Sequence, residues 1–329
     1  MKFPATFRSL GLLLAVACAS GAGCPGMMRT QPVALPRVLP PAATREQVIA
    51  VVNRNSAAVQ SYHTSSATIG MPMMPSVRAE ISLERPKNFR LRADTAFTGP
   101  EVDLGSNASE FWFWIRRNQP PALFFCRHEQ FSQSPARQMI PIEPDWLIEA
   151  LGVTSFAAED DHRGPFAAGP GRLEMRSVRQ TSTGPVTKVT ILDDARGVIM
   201  EQHLYDAQGQ LVAKALSSDH RLDPVQHVTL PHHVELQLPG AQMDLKIDIN
   251  EIAVNTLGAD SRQLFVRPSY DGWRDVDLGD PQLEMRELTQ SRYRITQPPL
   301  ARQQPPAQAP PAAAARPPRG GFFRRLFQR

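Results

Sequence analysis

Cysteine is scarce in this 329-residue chain, which has three: Cys18, Cys24 and Cys126. So few thiols exclude a disulfide scaffold, and a hydrophobic core has to hold the fold. No segment has the roughly 20 apolar residues that a membrane-spanning helix needs. A nucleophile elbow, a phosphate loop, a dinucleotide fingerprint and a zinc-ligand pattern are all missing, so the sequence implies neither an enzyme nor a cofactor. The body also lacks a Lys/Arg stripe interleaved with aromatics. Net charge is only +4, with much of the basic excess at the C-terminus, so nucleic acid is not an expected partner.

The first residues set the compartment. Lys2 and Arg8 flank a short basic start, and the apolar run from Leu10 to Ala17 follows before a cysteine. This is the build of a secretory leader. Ala15-Val16-Ala17 precedes Cys18 and Gly21-Ala22-Gly23 precedes Cys24. A lipoprotein leader favours an aliphatic residue three places before its cysteine and a small residue just before it. The first criterion favours Cys18 and the second Cys24, so both stand as the acylated anchor. An ordinary leader cut after Ala15-Val16-Ala17 is the plainer alternative. Acylation would give enough chains for stable anchoring. The expected location is the bacterial cell envelope, lipid-anchored at the outer membrane and facing the periplasm.

The 31 prolines gather at both ends and in turns. The expected organisation is a signal peptide and anchor region over 1–24, a Pro/Ala-rich tether over 25–43, a folded domain over 44–296 and a tail over 297–329. The tail is poor in core-forming pattern, reads as disordered, and ends in the basic-aromatic run Phe322 to Arg329. That run suits an anionic membrane or a partner, or is simply solvated.

Within the body a helix starts at Thr44, whose spacing to Gln47 is that of a capping box. Its apolar face is Val48, Val51, Val52 and Val59. The period then changes to two. Val77, Ala79, Ile81 and Leu83 alternate with polar residues, as do Phe89, Leu91 and Ala93, which predicts half-buried strands. Phe111 to Ile115 and Leu123 to Phe125 carry bulky side chains on both faces. A short helix is predicted from Pro144 to Gly152. Strands are predicted at 172–179, 186–192, 198–205, 211–216, 226–230, 232–238 and 243–249. The fold class is mainly β (α+β), a curved antiparallel sheet forming an open half-barrel with a small helical lid.

Four stretches in order resemble the LolA/LolB family of lipoprotein carriers. They are Val59-Gln-Ser-Tyr62, Glu84-Arg-Pro-Lys-Asn-Phe-Arg90, Gly105 to Trp114, and Ile247 to Asn255 with Phe265. Together they span about residues 44–280. The resemblance implies a half-barrel that holds acyl chains in an apolar cavity, with Arg85 fastening the lid. The anchored, LolB-like branch is the nearer analogue, although the region 126–171 is longer here and the basic tail is additional.

The expected cavity lining is Phe111, Trp112, Phe113, Trp114, Leu123 and Phe125, because acyl chains need apolar area more than hydrogen bonds. The same residues would serve equally as plain core. Arg85 is either the latch or an ordinary strand-end arginine. His227, His232 and His233 are the densest histidine group, but adjacent strand residues face opposite ways, which argues against a metal site. Cys126 and His128 share a strand face without any oxyanion turn, so Cys126 reads as structural. Asp160 and Asp161 read as solvated loop residues. The expected partner is a lipid or acylated protein. The alternative function is an envelope sensor or scaffold that binds a protein with the same fold, and a cavity filled by its own side chains would favour it.

Overall fold

The computed structural model describes residues 34–280, apart from 73, 74, 97, 118–120, 135, 136, 138–142, 182, 183 and 242. Cys18, Cys24, the tether up to residue 33 and the 297–329 tail lie outside the described residues.

Helix α1, Arg45–Ala58, starts where Thr44 accepts from the Gln47 backbone N–H at 3.3 Å, and Gln47 Oε1 accepts from the Thr44 N–H at 2.8 Å. This reciprocal cap satisfies two backbone donors that a helix start otherwise leaves to water, and is worth about 1 kcal/mol. Six strands follow: β1 Ser61–Gly70, β2 Val77–Glu84, β3 Asn88–Thr95, β4 Gly99–Ser106, β5 Glu110–Ile115 and β6 Ala122–Arg127. Two short helices, α2 His128–Phe131 and α3 Pro144–Ala150, separate them from the second series. That series is β7 Asp161–Ala167, β8 Arg172–Thr181, β9 Gly184–Asp193, β10 Ile199–Tyr205, β11 Leu211–Asp223, β12 Val228–Leu238 and β13 Met243–Ile249. The pair β14 Ala253–Val254, a 3-10 segment Ala259–Phe265 and β15 Arg274–Asp277 complete the described residues.

Among the described residues all the strands join one 15-stranded sheet in the order β15-β6-β5-β4-β3-β2-β1-β13-β12-β11-β10-β9-β8-β7, with β14 pairing β1 beside this path. Neighbours are antiparallel except β15, which runs parallel to β6. The sheet is open: β15 and β7 are its two edges. The half-barrel expectation matches this curved, unclosed sheet. The register Leu236↔Leu245, Val234↔Ile247, Ile247↔Ile69, Ala67↔Ala79, Ala79↔Ala93 and Ile81↔Leu91 carries one apolar face across five strands.

That face is the concave one, and α3 lies in it. Trp146, Ile148 and Ala150 of α3, with Leu151 and Val153, belong to the same buried cluster as Tyr62, Ile81, Leu91, Leu230, Val234 and Ile247. Helix α1 covers the other end of the concavity, packing Val48 and Val52 against Met175, Leu192 and Phe156.

Two sequence expectations change. The segments 226–230 and 232–238 form the single strand β12, which runs through Pro231 in one register against β11. Asp219, next to the register partner of Pro231, takes a positive φ of 50°, so the irregularity is absorbed locally. The second change is at Asp160, which is buried rather than solvated. Arg179 donates to both its carboxylate oxygens, at 2.8 and 3.0 Å.

Candidate functional site

The six aromatic and aliphatic residues expected to line one cavity divide between the two faces of the sheet. From β3 the register runs Leu91↔Leu104↔Phe113↔Phe124, so Phe111 and Phe113 share the concave face. Phe111 packs edge-on against Phe131 of α2, with ring centroids 5.1 Å apart. Trp112, Trp114, Leu123 and Phe125 point the opposite way, as strand alternation requires.

On that convex side they meet the segment that follows β14. Trp114 stacks on Tyr270 at 4.1 Å and meets Trp273 edge-on at 5.2 Å. Arg267 lies over Phe125 at 3.9 Å. Beneath this cover Asp103 is fully buried and accepts from Arg90 Nε at 3.1 Å, Arg90 Nη2 at 2.6 Å and Tyr270 Oη at 2.6 Å. Burial and the Asp103 carboxylate together push the Tyr270 phenol upward. Gly105 makes room here, because a Cβ on it would sit 2.1 Å from the Trp112 ring. These four residues are therefore a covered core of the convex face, and the expectation that they line the concavity is corrected by strand parity.

On the concave side, α3 fills the centre of the apolar wall, and open space remains at its flanks. The larger space, about 400 Å³, lies between α1 and the ends of β10–β12. Val51, Val52, Val198, Ile199, Leu222 and Pro231 form its apolar wall. Gln202 and Ser217, which the register places on the concave face, are its buried polar floor. The tight turn 193–197 closes one side: Gly197 has φ 65°, and a Cβ there would meet Val51 Cγ1 at 2.7 Å. Residues 38 and 39 hydrogen-bond through their N–H groups to Ala195 O at 2.8 and 3.0 Å, drawing the incoming chain over this turn. His220 also lines the space; its ring bonds Ile199 O at 2.8 Å, and burial lowers its pKa.

Arg85 sits where β2 ends, against the last turn of α1. Its Nη1 donates to Ser56 O at 2.8 Å, and Ser56 is buried. A second tie runs from Asn255, which donates to Ala58 O at 2.8 Å. Asn55 of α1 exchanges two hydrogen bonds with the Thr229 backbone, at 2.7 and 3.0 Å. Helix α1 is thus held to the sheet by these polar contacts near its C-terminal end, by Arg45 Nη1 donating to His162 O of β7 at 3.2 Å near its start, and by a modest apolar face.

The remaining candidates have local partners. His232 bonds Ile249 O at 2.8 Å, and His233 bonds Asp248 at 2.6 Å and Glu235 at 3.3 Å. Among the described residues no group of three His, Cys, Asp or Glu side chains is placed to hold a metal ion. Cys126 is buried, and desolvation first, then Asp277, raises its thiol to about 11, far from a thiolate nucleophile at neutral pH. The His128 ring is occupied with Asn107 O at 2.8 Å.

The sequence pattern did not reveal α3 within the concavity, the covered convex cluster or the Asp160–Arg179 pair. Alternation does show that Trp112 and Phe113 face opposite ways, but only the sheet register tells which of them faces inward.

No family model matches the chain, and no curated protein matches it. Among solved structures it is similar to a putative outer membrane lipoprotein-sorting protein domain from Vibrio parahaemolyticus, at 9% identity and TM-score 0.44, covering 68% of this chain and 99% of that one. A LolA superfamily protein from Nitrosomonas europaea is similar at 9% identity and TM-score 0.44, with 69% and 99% covered. A DUF1329 family protein from Desulfovibrio piger follows at 12% identity and TM-score 0.42, with 66% and 95% covered. At such TM-scores the likeness carries nothing about function, and the half-barrel description rests on the strand register itself.

Proposed function

We propose that this chain binds an acyl chain of a lipid or acylated protein on the concave face of the half-barrel, beneath α1, as an anchored carrier or acceptor of the bacterial cell envelope. The observation that carries this reading is the apolar-walled space of about 400 Å³ under α1, beside a continuous apolar wall. Each methylene transferred there from water contributes about 0.8 kcal/mol, so part of one chain gives useful affinity without any polar recognition. Arg85 is the latch of α1 in this reading, and α3 is a plug that a longer chain displaces. No chemical step is needed.

A second reading has its own support. The centre of the concavity is filled by Trp146, Ile148 and Leu151 rather than open, which suits an envelope sensor or scaffold that binds a protein partner. Native mass spectrometry on the full chain purified from bacterial cells separates the two. Bound lipid that extracts into organic solvent, and that is absent from an Ala58→Trp variant filling the space under α1, supports the carrier. A chain that carries no lipid and takes up none when lipid is added supports the sensor or scaffold instead.

A further inference from the structure

Resting on that reading, we infer that the space beneath α1 selects amphiphiles with an anionic head, a carboxylate or a phosphate, seated at Arg54 and Arg196. The described residues lining this space include no Asp or Glu, but they include these two arginines. Arg54 is exposed on α1 and has no ion-pair or hydrogen-bond partner among the described residues. Its charge therefore serves no contact among the described residues. Arg196 gives one Nη1 contact to Asp193 at 3.1 Å and is otherwise half exposed. Guanidinium groups present planar forks of donors that match carboxylate and phosphate oxygens. At the rim of an apolar-walled space they meet an anion while its chain lies inside.

The opposite flank of α3 has the opposite sign. A second space of about 320 Å³ there is lined by Glu143, Asp145, Glu149, Asp160 and Asp206 against Arg137, Arg179 and Lys188. All three cations are already engaged: Lys188 with Glu149 at 2.8 Å, Arg179 with Asp160 at 2.8 Å and Arg137 with Glu143 at 3.9 Å. An anionic head is disfavoured on that side. The concavity is thus electrostatically polarised along its length, which orients an anionic amphiphile with its head toward α1.

The test uses the delipidated full chain and four ligands of one chain length: dodecanoate, dodecyl phosphate, dodecanol and dodecylammonium. Both anions are expected to bind at least about tenfold more tightly than the alcohol, the scale of one charge-assisted hydrogen bond. The advantage should shrink with added salt and be largely lost in Arg54→Gln, while Arg54→Glu should turn the preference toward dodecylammonium. The ranking of the two anions tells a phosphate head from a free fatty acid. Equal binding of alcohol and anions overturns the inference and leaves acyl binding standing, as does an anion preference untouched by Arg54→Glu. Binding of none of the ligands overturns both. Because Arg54 is exposed and unpaired, its variants are expected to keep the wild-type unfolding midpoint, which is checked alongside.

Discussion

Replacing Arg85 by Ala removes one of the contacts that hold α1 to the sheet. Ser56 O accepts from Arg85 Nη1 at 2.8 Å and also from the Val59 N–H at 3.1 Å. The substitution therefore leaves that carbonyl with one partner, and no orphaned acceptor adds to the cost. What is lost is one hydrogen bond from a charged donor, worth about 1.5 kcal/mol at the lower end of its range because the site is only partly buried. About 1.4 kcal/mol is a factor of ten, so the detached state of α1 should become about tenfold more populated. Hydrogen exchange followed by mass spectrometry reads this directly. Peptides covering 45–58 should exchange about tenfold faster, while those of β2 and β3 keep their protection. Arg85→Lys keeps a charge but not the fork, and should recover part of the effect. Unchanged exchange in α1 would refute the latch. Equal acceleration throughout the sheet would also refute it, making Arg85 a general stability residue.

Other consequences are equally open to measurement. Asp103→Ala removes the buried acceptor of Arg90 and Tyr270 and should lower stability by about 3 kcal/mol, seen in the urea midpoint. Trp114→Ala should cost about 3 kcal/mol through lost stacking on Tyr270 and Trp273, yet leave lipid uptake unchanged, because the residue lies on the convex face. Burial lowers the pKa of His220 and His232. The unfolded chain then binds more protons than the native one as pH falls below about 6.5. Stability should decline through that window, and His220→Gln should flatten the slope in urea titrations. His233 works in the opposite sense: hydrogen bonds to Asp248 and Glu235 raise its pKa, so its contribution is present below about 6.5 and lost as pH rises through the raised value. Finally, palmitate labelling in the cell should vanish in one of Cys18→Ser and Cys24→Ser and persist in the other, and no labelling of the unmutated chain would remove the lipid anchor from the account.

Much of the sheet was legible because its strands alternate cleanly. Val77 to Glu84 and Asn88 to Thr95 carry one apolar face each, and the structure pairs them with Ala79↔Ala93 and Ile81↔Leu91. Strand β1 gave no such signal. Its sequence Ser61-Tyr-His-Thr-Ser-Ser-Ala-Thr-Ile-Gly70 places polar residues on both faces, and a register shift between Thr64 and Ala67 breaks the period. Thr64 and Ser61 are nonetheless buried, held by neighbours that come from far along the chain. Strand β7 was hidden for a similar reason, since Asp161-His-Arg-Gly-Pro165 reads as a loop and is an edge strand.

The site was legible in part. The capping box of α1 follows from local spacing, whereas a role for Arg85 at the helix was implied by the family resemblance alone, since its partner Ser56 lies 29 residues away. The occupant of the concavity does not, because α3 reaches it from a segment whose tertiary contacts leave no periodic trace. The aromatic run at 111–114 gave the right two-faced character, but its inward face depends on how four strands pair across residues 88–127. Asp160 and Arg179, 19 residues apart, meet only because β7 and β8 lie side by side.

The central claim is that an acyl chain lies under α1 on the concave face. Photocrosslinking of the full chain with a diazirine-bearing fatty acid, followed by peptide mapping, tests it most directly. The account predicts labels on Val51 or Val52 of α1 and on Val198, Ile199 or Leu222 opposite them. Labels gathered instead on Tyr270, Trp273 and the convex face, or spread without preference over the surface, would contradict it.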